Sequence, residues 1–360
     1  MKKTIKHAVE SAVVVAALMA AGAVAADTQW YPLAVNATDR AGVTRQVEYT
    51  PLSASGKASQ DWKICVSLPH MKDPFFLAQN YGMVEEANLL GVDLLTLDAG
   101  GYGGLANQIS QIENCVAGGA DAVVMVGIAA DGMNNLLAEL KEKNVPVIDV
   151  VNGVHSDDVA ARVLTSPRDE GYRAGKFLAD KHPAGSAEVK VAWLPGPAGA
   201  GFVIAFDEGF KDGIKDSAVT IVETKFGDVG KEVQARLVED ILQTHGKVDY
   251  IAGTAVMAEA AVPLLKARGI DKDVSLVSVY MTPGIYEHLK AGNVEAAGVS
   301  PIVLTSRIML DQAVRVLEGK QEYFNVGTLG RVYTPEDIGQ MSLNDVMAPR
   351  GFRPVFNLDN

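Results

Sequence analysis

The residue types able to do chemistry gather most densely in one stretch, Ser67-Leu68-Pro69-His70-Met71-Lys72-Asp73-Pro74-Phe75-Phe76. One carboxylate followed by two adjacent aromatic rings suits a small ligand. The rings offer π faces to a cationic or methylated group, and Asp73 can accept a hydrogen bond or face positive charge. Either phenylalanine alone could instead pack in the core.

Catalytic signatures are missing from the rest of the chain. No G-x-S-x-G elbow occurs, the six histidines show no H-E-x-x-H or paired Cys/His spacing, and the aspartates lack the D-x-D-x-D-G calcium pattern. Two glycine-rich turns, Gly100-Gly101-Tyr102-Gly103-Gly104 and Pro195 to Gly201, follow apolar runs and could hold an anion at a helix N-terminus. Neither has the G-x-G-x-x-G spacing with a later acidic residue, nor a P-loop Gly-Lys-Ser/Thr, so they read as strand-to-helix turns. Asp98, Asp131 and Asp149 stand near strand ends, where aspartate caps helices as readily as it reacts. No metal, no cofactor and no enzymatic activity are expected.

The Asp73 loop is useful only if its neighbours carry it to a cleft. From Asp61 onward, short apolar β-branched runs alternate with segments of helical period, the pattern of parallel sheets covered on both faces. Strands are expected at Ile64 to Leu68, Asp93 to Leu97, Ala122 to Val126, Val147 to Val151, Val189 to Leu194, Thr220 to Thr224, Tyr250 to Gly253, Leu276 to Tyr280 and Ala296 to Val299. Leu105, Ile109, Ile112 and Val116 form one helical stripe between them. Nine such units make either one β/α barrel or two doubly wound sheets. Ser166-Pro167-Arg168 suits a change of domain, which favours two lobes with crossovers near 166, 299 and 320. The expected division is a first lobe of 61–165 plus 299–319 and a second of 166–298 plus 320–346. An N-terminal arm or hairpin at 26–60 precedes them and a tail at 347–360 follows.

The chain has 360 residues, 48% hydrophobic and 21% charged, enough for about two cored domains. Its formal charge is −12, with no Lys/Arg-rich run after the opening residues, which argues against nucleic-acid binding. Lys2, Lys3 and Lys6, an apolar run from Ala12 to Ala21, and Ala23-Val24-Ala25 together read as a secretory signal peptide over 1–25. The apolar run is too short for a bilayer span, so no membrane insertion is expected after cleavage. Cys65 and Cys115 are the only cysteines, and an even pair in an exported chain favours a Cys65–Cys115 disulfide over two separate thiols.

The Asp73 loop, Gly82 with Gly91-Val92, Val145-Pro146-Val147-Ile148 and Glu208-Gly209-Phe210 resemble the type I periplasmic binding proteins of the ribose-binding kind. A narrower set is similar to the branch that senses trimethylamine N-oxide (TMAO). This set comprises Trp62-Lys63-Ile64-Cys65, Asn80-Tyr81-Gly82-Met83, Ala99-Gly100-Gly101-Tyr102, Asn114-Cys115, Leu194-Pro195-Gly196-Pro197, Ala252-Gly253-Thr254-Ala255, Ala258-Glu259-Ala260-Ala261 and Gly351-Phe352-Arg353-Pro354-Val355.

The resemblance implies an α/β fold of two doubly wound parallel-sheet lobes joined by three crossovers and closing on a ligand in the periplasm. It also implies a TMAO-like ligand and, as partner, the periplasmic domain of a membrane sensor histidine kinase. The alternative is the substrate-binding protein of an ABC importer for a sugar or small metabolite. Asp73 and Tyr280 match the family's ligand contacts. Phe75 and Phe76 stand where the family has Tyr and Trp, and Pro167 or Arg168 takes the place of its crossover Trp. By position the pocket draws on Val151-Asn152, Ala200 to Ile204 and Tyr280, with Asn152 and Tyr280 as donors to an N-oxide oxygen. Arg168 is either a ligand contact or a solvated hinge residue.

Overall fold

A computed structural model describes residues 29–360, and the fold below is that of residues 31–360. The signal segment expected at 1–25 lies outside the described residues. The chain opens with a hairpin, β1 (Leu33–Thr38) and β2 (Thr44–Tyr49), and continues through β3 (Lys63–Leu68), α1 (Pro74–Leu90), β4 (Asp93–Asp98), α2 (Leu105–Ala117), β5 (Ala122–Met125), α3 (Asn134–Glu142), β6 (Val147–Val150) and β7 (Ala161–Val163). A second run follows: α4 (Pro167–Lys181), β8 (Val189–Gly196), α5 (Gly201–Gly213), β9 (Val219–Phe226), α6 (Lys231–His245), β10 (Tyr250–Gly253), α7 (Ala255–Arg268), β11 (Ser275–Ser278), α8 (Pro283–Lys290) and β12 (Ala296–Val299). Then come α9 (Ile302–Leu317), β13 (Asn325–Thr328), β14 (Arg331–Tyr333), α10 (Leu343–Val346) and β15 (Asn357–Leu358).

These strands form two sheets, and so two lobes. The first runs β15-β4-β3-β5-β6-β7-β13-β1-β2 and the second β14-β12-β11-β10-β8-β9. In each, a parallel centre steps to one side and then reverses, at β3/β5 and at β8/β10, which opens a crevice at the strand C-termini. Strands β5, β10 and β12 are buried at every position, which is why they read as unbroken apolar runs, and β6 is equally buried with Asp149 inside it.

The doubly wound reading therefore holds in both lobes, and the boundaries differ in three places. The N-terminal hairpin is not a separate arm: β1 pairs antiparallel with β13, from Val35 opposite Thr328 to Thr38 opposite Asn325, and so extends the first sheet. That pairing keeps 320–328 in the first lobe. The third crossover falls at 329–330, where β13 gives way to β14 of the second sheet, and not near 320. The tail returns to the first lobe, where β15 pairs with β4 and Asn80 exchanges two hydrogen bonds with the Val355 backbone, at 2.8 and 2.9 Å. β11 ends at Ser278, so Tyr280 lies just past the strand, with Ser278 Oγ donating to its carbonyl at 2.6 Å. Cys65 on β3 and Cys115 on α2 form a disulfide with a Cα separation of 6.4 Å.

Candidate functional site

Three crossovers hold the lobes: 164–166 between β7 and α4, 300–301 between β12 and α9, and 329–330 between β13 and β14. Across the crevice above them, Asp73 begins the site. Its backbone is extended, Pro74 takes the first helical position, and its Oδ1 accepts the Phe75 N–H at 2.9 Å, so it is the N-cap of α1. The other carboxylate oxygen accepts the hydroxyl of Tyr280 from the second lobe. Asp73 is 3% exposed, and burial lifts its carboxyl to about 6 despite those two donors. Burial, and then Asp73 itself, push the Tyr280 hydroxyl well above its ordinary range.

Aromatic rings continue from that pair as a belt that passes between the lobes twice. Tyr280 meets Phe75 edge-on at 5.6 Å, Phe75 meets Phe76 at 5.4 Å, and Phe76 meets His70 at 5.0 Å. His70 meets Tyr102 at 5.6 Å, Tyr102 meets Phe202 of the second lobe at 5.8 Å, and Phe202 meets Phe206 at 5.4 Å. Such edge contacts favour ordered rings over a loose apolar pocket. His70 is fully buried with neither ring nitrogen hydrogen-bonded, and burial lowers its pKa, so it serves here as a neutral ring.

The belt encloses a cavity of about 50 Å³, also lined by Val151, Asn152, Thr165, Pro167, Glu170 and Val229. Asn152 donates through Nδ2 to the Gly127 carbonyl at 2.7 Å and to the Tyr102 hydroxyl at 3.1 Å. Its neighbour Val151 has φ of 65°, an outlier for a β-branched residue of the kind that clusters at ligand sites. Glu170, in the first turn of α4, accepts the Ser300 hydroxyl, and burial raises its pKa. Among the described residues no Lys or Arg lines the cavity.

The structure thus brings Asp73, Phe75, Phe76, Asn152 and Tyr280 together and leaves Arg168 out. Its guanidinium turns to the opposite side of α4 and pairs with Asp212 on α5, both about half exposed, while Pro167 lines the cavity. Sequence reasoning misses Tyr102, Thr165, Glu170, Phe206 and Val229, and reaches Phe202 only through its stretch. The spacing of Phe202 and Phe206, one turn apart on the helix after a glycine-rich turn, is the available signal. Among the described residues no His, Cys, Asp or Glu cluster could hold a metal, and no helix is long and apolar enough to cross a membrane.

Comparison with known proteins fits this geometry. Residues 64–321 match the periplasmic binding protein domain family. The chain is 35% identical over 307 residues to the periplasmic protein TorT of Escherichia coli K12, covering 85% of this chain and 86% of that one. Among solved structures, the TorS sensor domain–TorT complex in the presence of TMAO is 33% identical, with a TM-score of 0.74 over 82% of this chain and all of that one. A Bradyrhizobium sp. BTAi1 ABC transporter solute binding protein with bound Bis-Tris is 48% identical, with a TM-score of 0.78 over 92% of this chain and all of that one.

Proposed function

The chain belongs to the periplasmic binding protein family, and from that premise we propose that it is a periplasmic ligand sensor. In this reading it closes on TMAO or a related small methylated amine and signals through the periplasmic domain of a membrane histidine kinase like TorS. The observation that carries the reading is the aromatic belt, drawn from both lobes around a cavity of about 50 Å³ that also contains the Asp73 carboxyl.

Size and chemistry both support it. A single water needs about 10–15 Å³ on this measure, so the cavity takes the volume of a few waters, which suits a compact amine oxide better than a sugar ring. The methyl groups of an amine oxide carry partial positive charge that aromatic faces attract, at about 0.5–2 kcal/mol per contact. The Tyr102 hydroxyl, which accepts from Asn152 Nδ2, is a neutral donor for the N-oxide oxygen, since both Asn152 Nδ2 protons go to Gly127 and Tyr102 and the Tyr280 hydroxyl is held by Asp73. A sugar would need partners for every buried hydroxyl, whereas Asp73, Asn152 and Glu170 already bond within the protein. The titratable groups are paired in this way and form no nucleophile with a base, so we read the site as binding and not catalytic.

A second reading rests on the Bradyrhizobium relative, whose description is that of an ABC transporter solute binding protein. On that reading this chain delivers a small amine to an importer. Calorimetry of the mature protein against TMAO, trimethylamine, betaine, Bis-Tris, ribose and galactose tests the ligand, with Phe76→Ala and Tyr280→Ala weakening binding and Asp73→Ala weakening it further. Titration with a TorS-like sensor domain tests the partner. Binding of a sugar without TMAO would overturn the sensor reading, as would ligand binding with no kinase domain engaged.

A further inference from the structure

Glu170 lines the cavity, yet its bonds run to the hinge. Its Oε1 accepts the hydroxyl of Ser300, which lies in the second crossover. The buried side chain of Thr165, in the first crossover, also favours the charged carboxylate. One turn farther along α4, Arg173 faces the carboxylate and packs on the third crossover: a Cβ added at Gly330 would fall 2.5 Å from Arg173 Nη2, 2.9 Å from the Val299 carbonyl oxygen and 3.1 Å from Ser300 Oγ. That approach leaves room only for glycine at 330. Glu170 is 8% exposed, Thr165 5% and Ser300 9%, so the three are shielded from water and their bonds have no easy substitute when broken.

We propose that Glu170 is a positioning residue that ties the ligand cavity to the crossovers, so that its hydrogen bond to Ser300 sets how readily the lobes close. The inference rests on the cavity being the ligand site and is independent of which ligand fills it. A carboxyl that served only as cavity wall would need no bond to Ser300, which does not line the cavity. A coupling residue would hold the crossovers in the arrangement that the closed cleft requires, and loosening it would lower the binding-competent fraction and raise the apparent dissociation constant in proportion.

The test is Ser300→Ala, beside Glu170→Gln, in the full mature chain. Spin labels carried by non-natural residues at the exposed positions Glu142 and Asp271, one in each lobe, report the interlobe distance without disturbing the disulfide. Calorimetry with TMAO runs in parallel, and Tm confirms that each variant is folded. Ser300→Ala is expected to weaken TMAO binding about tenfold and to shift the ligand-free distance distribution, with Glu170→Gln shifting it the same way. Wild-type affinity and an unchanged distribution in Ser300→Ala overturn the proposal. If TMAO does not bind the wild type, the assigned ligand fails, and the ligand-free distribution still decides for or against the coupling. Should Ser300→Ala not fold, the ligand-free distribution of Glu170→Gln decides alone: a shift supports the coupling and an unchanged distribution overturns it.

Discussion

Two regions of the molecule each hold a pair of buried carboxylates, and they treat them oppositely. In the first lobe, between the hairpin exit and α9, each has a guanidinium. Glu86 takes Arg307 Nε at 2.9 Å along with the Ser53 hydroxyl, and Asp311 takes Arg315 Nε at 2.6 Å, the Leu52 N–H at 2.6 Å and the Tyr49 hydroxyl. In the cleft, Asp73 and Glu170 are hydrogen-bonded by hydroxyls and a backbone amide and by no guanidinium, Arg173 facing Glu170 without a bond to it, and none of the described residues that line the cavity is a cation. The seam satisfies its charges inside one lobe and can stay shut. The cleft spreads its partners over two lobes and the hinge, so its polar groups are fully paired only when the lobes meet. The seam should therefore govern stability and the cleft closure, and substitutions can separate the two.

Arg307→Ala strands Glu86 without its guanidinium, and removing one partner of a buried pair costs about 3–5 kcal/mol. Urea unfolding should show that loss. Phe202→Ala, in the cleft, should lower ligand affinity, an effect that Arg307→Ala should not show. An Arg307→Ala protein as stable as wild type would break the contrast at its strongest point.

The disulfide belongs with the seam, since it locks β3 to α2 within the first lobe across a sequence separation of 50. Loop closure of that length contributes on the order of 4 kcal/mol at most, with about 2–4 typical, and the mechanism is model-dependent. Replacing both cysteines by serine should lower stability by that amount and leave ligand affinity within about threefold. Titration of denatured, unreduced protein should find no thiol.

A smaller effect is expected at Gly201, where α5 of the second lobe starts against the first lobe. A Cβ there would lie 2.3 Å from both the Asn152 and the Gly153 carbonyl oxygens. Backbone oxygens cannot yield as a side chain would, so Gly201→Ala should penalise the closed state by about 1–3 kcal/mol, the usual cost of overpacking, and leave the lobes themselves intact. Calorimetry should record roughly a 5- to 150-fold loss of affinity with an unchanged Tm. A fall in Tm to match would mean that closure and folding are one event here.

The same contrast explains what can be read from sequence. The parallel strands are legible because burial on both faces demands unbroken apolar runs, and Tyr250–Gly253 and Ala296–Val299 sit where the runs place them. Strands β13 and β14 are short, and nothing local announces that Thr328 pairs with Val35, so sequence alone sets the third crossover too early. In the site, Asp73 is legible because a carboxylate before Pro74 and two phenylalanines is informative within four residues. Glu170 is not: an acidic residue in a first helical turn reads as a partner for the helix dipole, and its bond to Ser300 depends on the fold. Arg168, two residues earlier, draws attention by its charge, but the helix turns it outward to Asp212.

The smallest expected effect is the pH dependence of closure, and it follows from Asp73. Beyond Tyr280 and the Phe75 N–H, the charged groups acting on it are Glu259 of α7, which raises its pKa, and Lys231 of α6, which lowers it. Burial outweighs these and sets the carboxyl at about 6 in the closed structure, against an ordinary value of 3.8. If opening exposes Asp73 to water, its pKa falls back, so closing takes up a proton. A raised carboxyl favours the closed state fully below its ordinary pKa, and that contribution is lost as pH rises through about 6. Between pH 7 and pH 5 the ligand-free closed state should gain about 1 kcal/mol, several-fold in population, read as a shift in the interlobe distance distribution. Asp73→Asn keeps the shape and cannot titrate, so it should abolish the shift. Equal distributions at both pH values in the wild type would mean that Asp73 stays buried against its partners when the lobes part, and that the cleft, like the seam, keeps its carboxylate satisfied within one lobe.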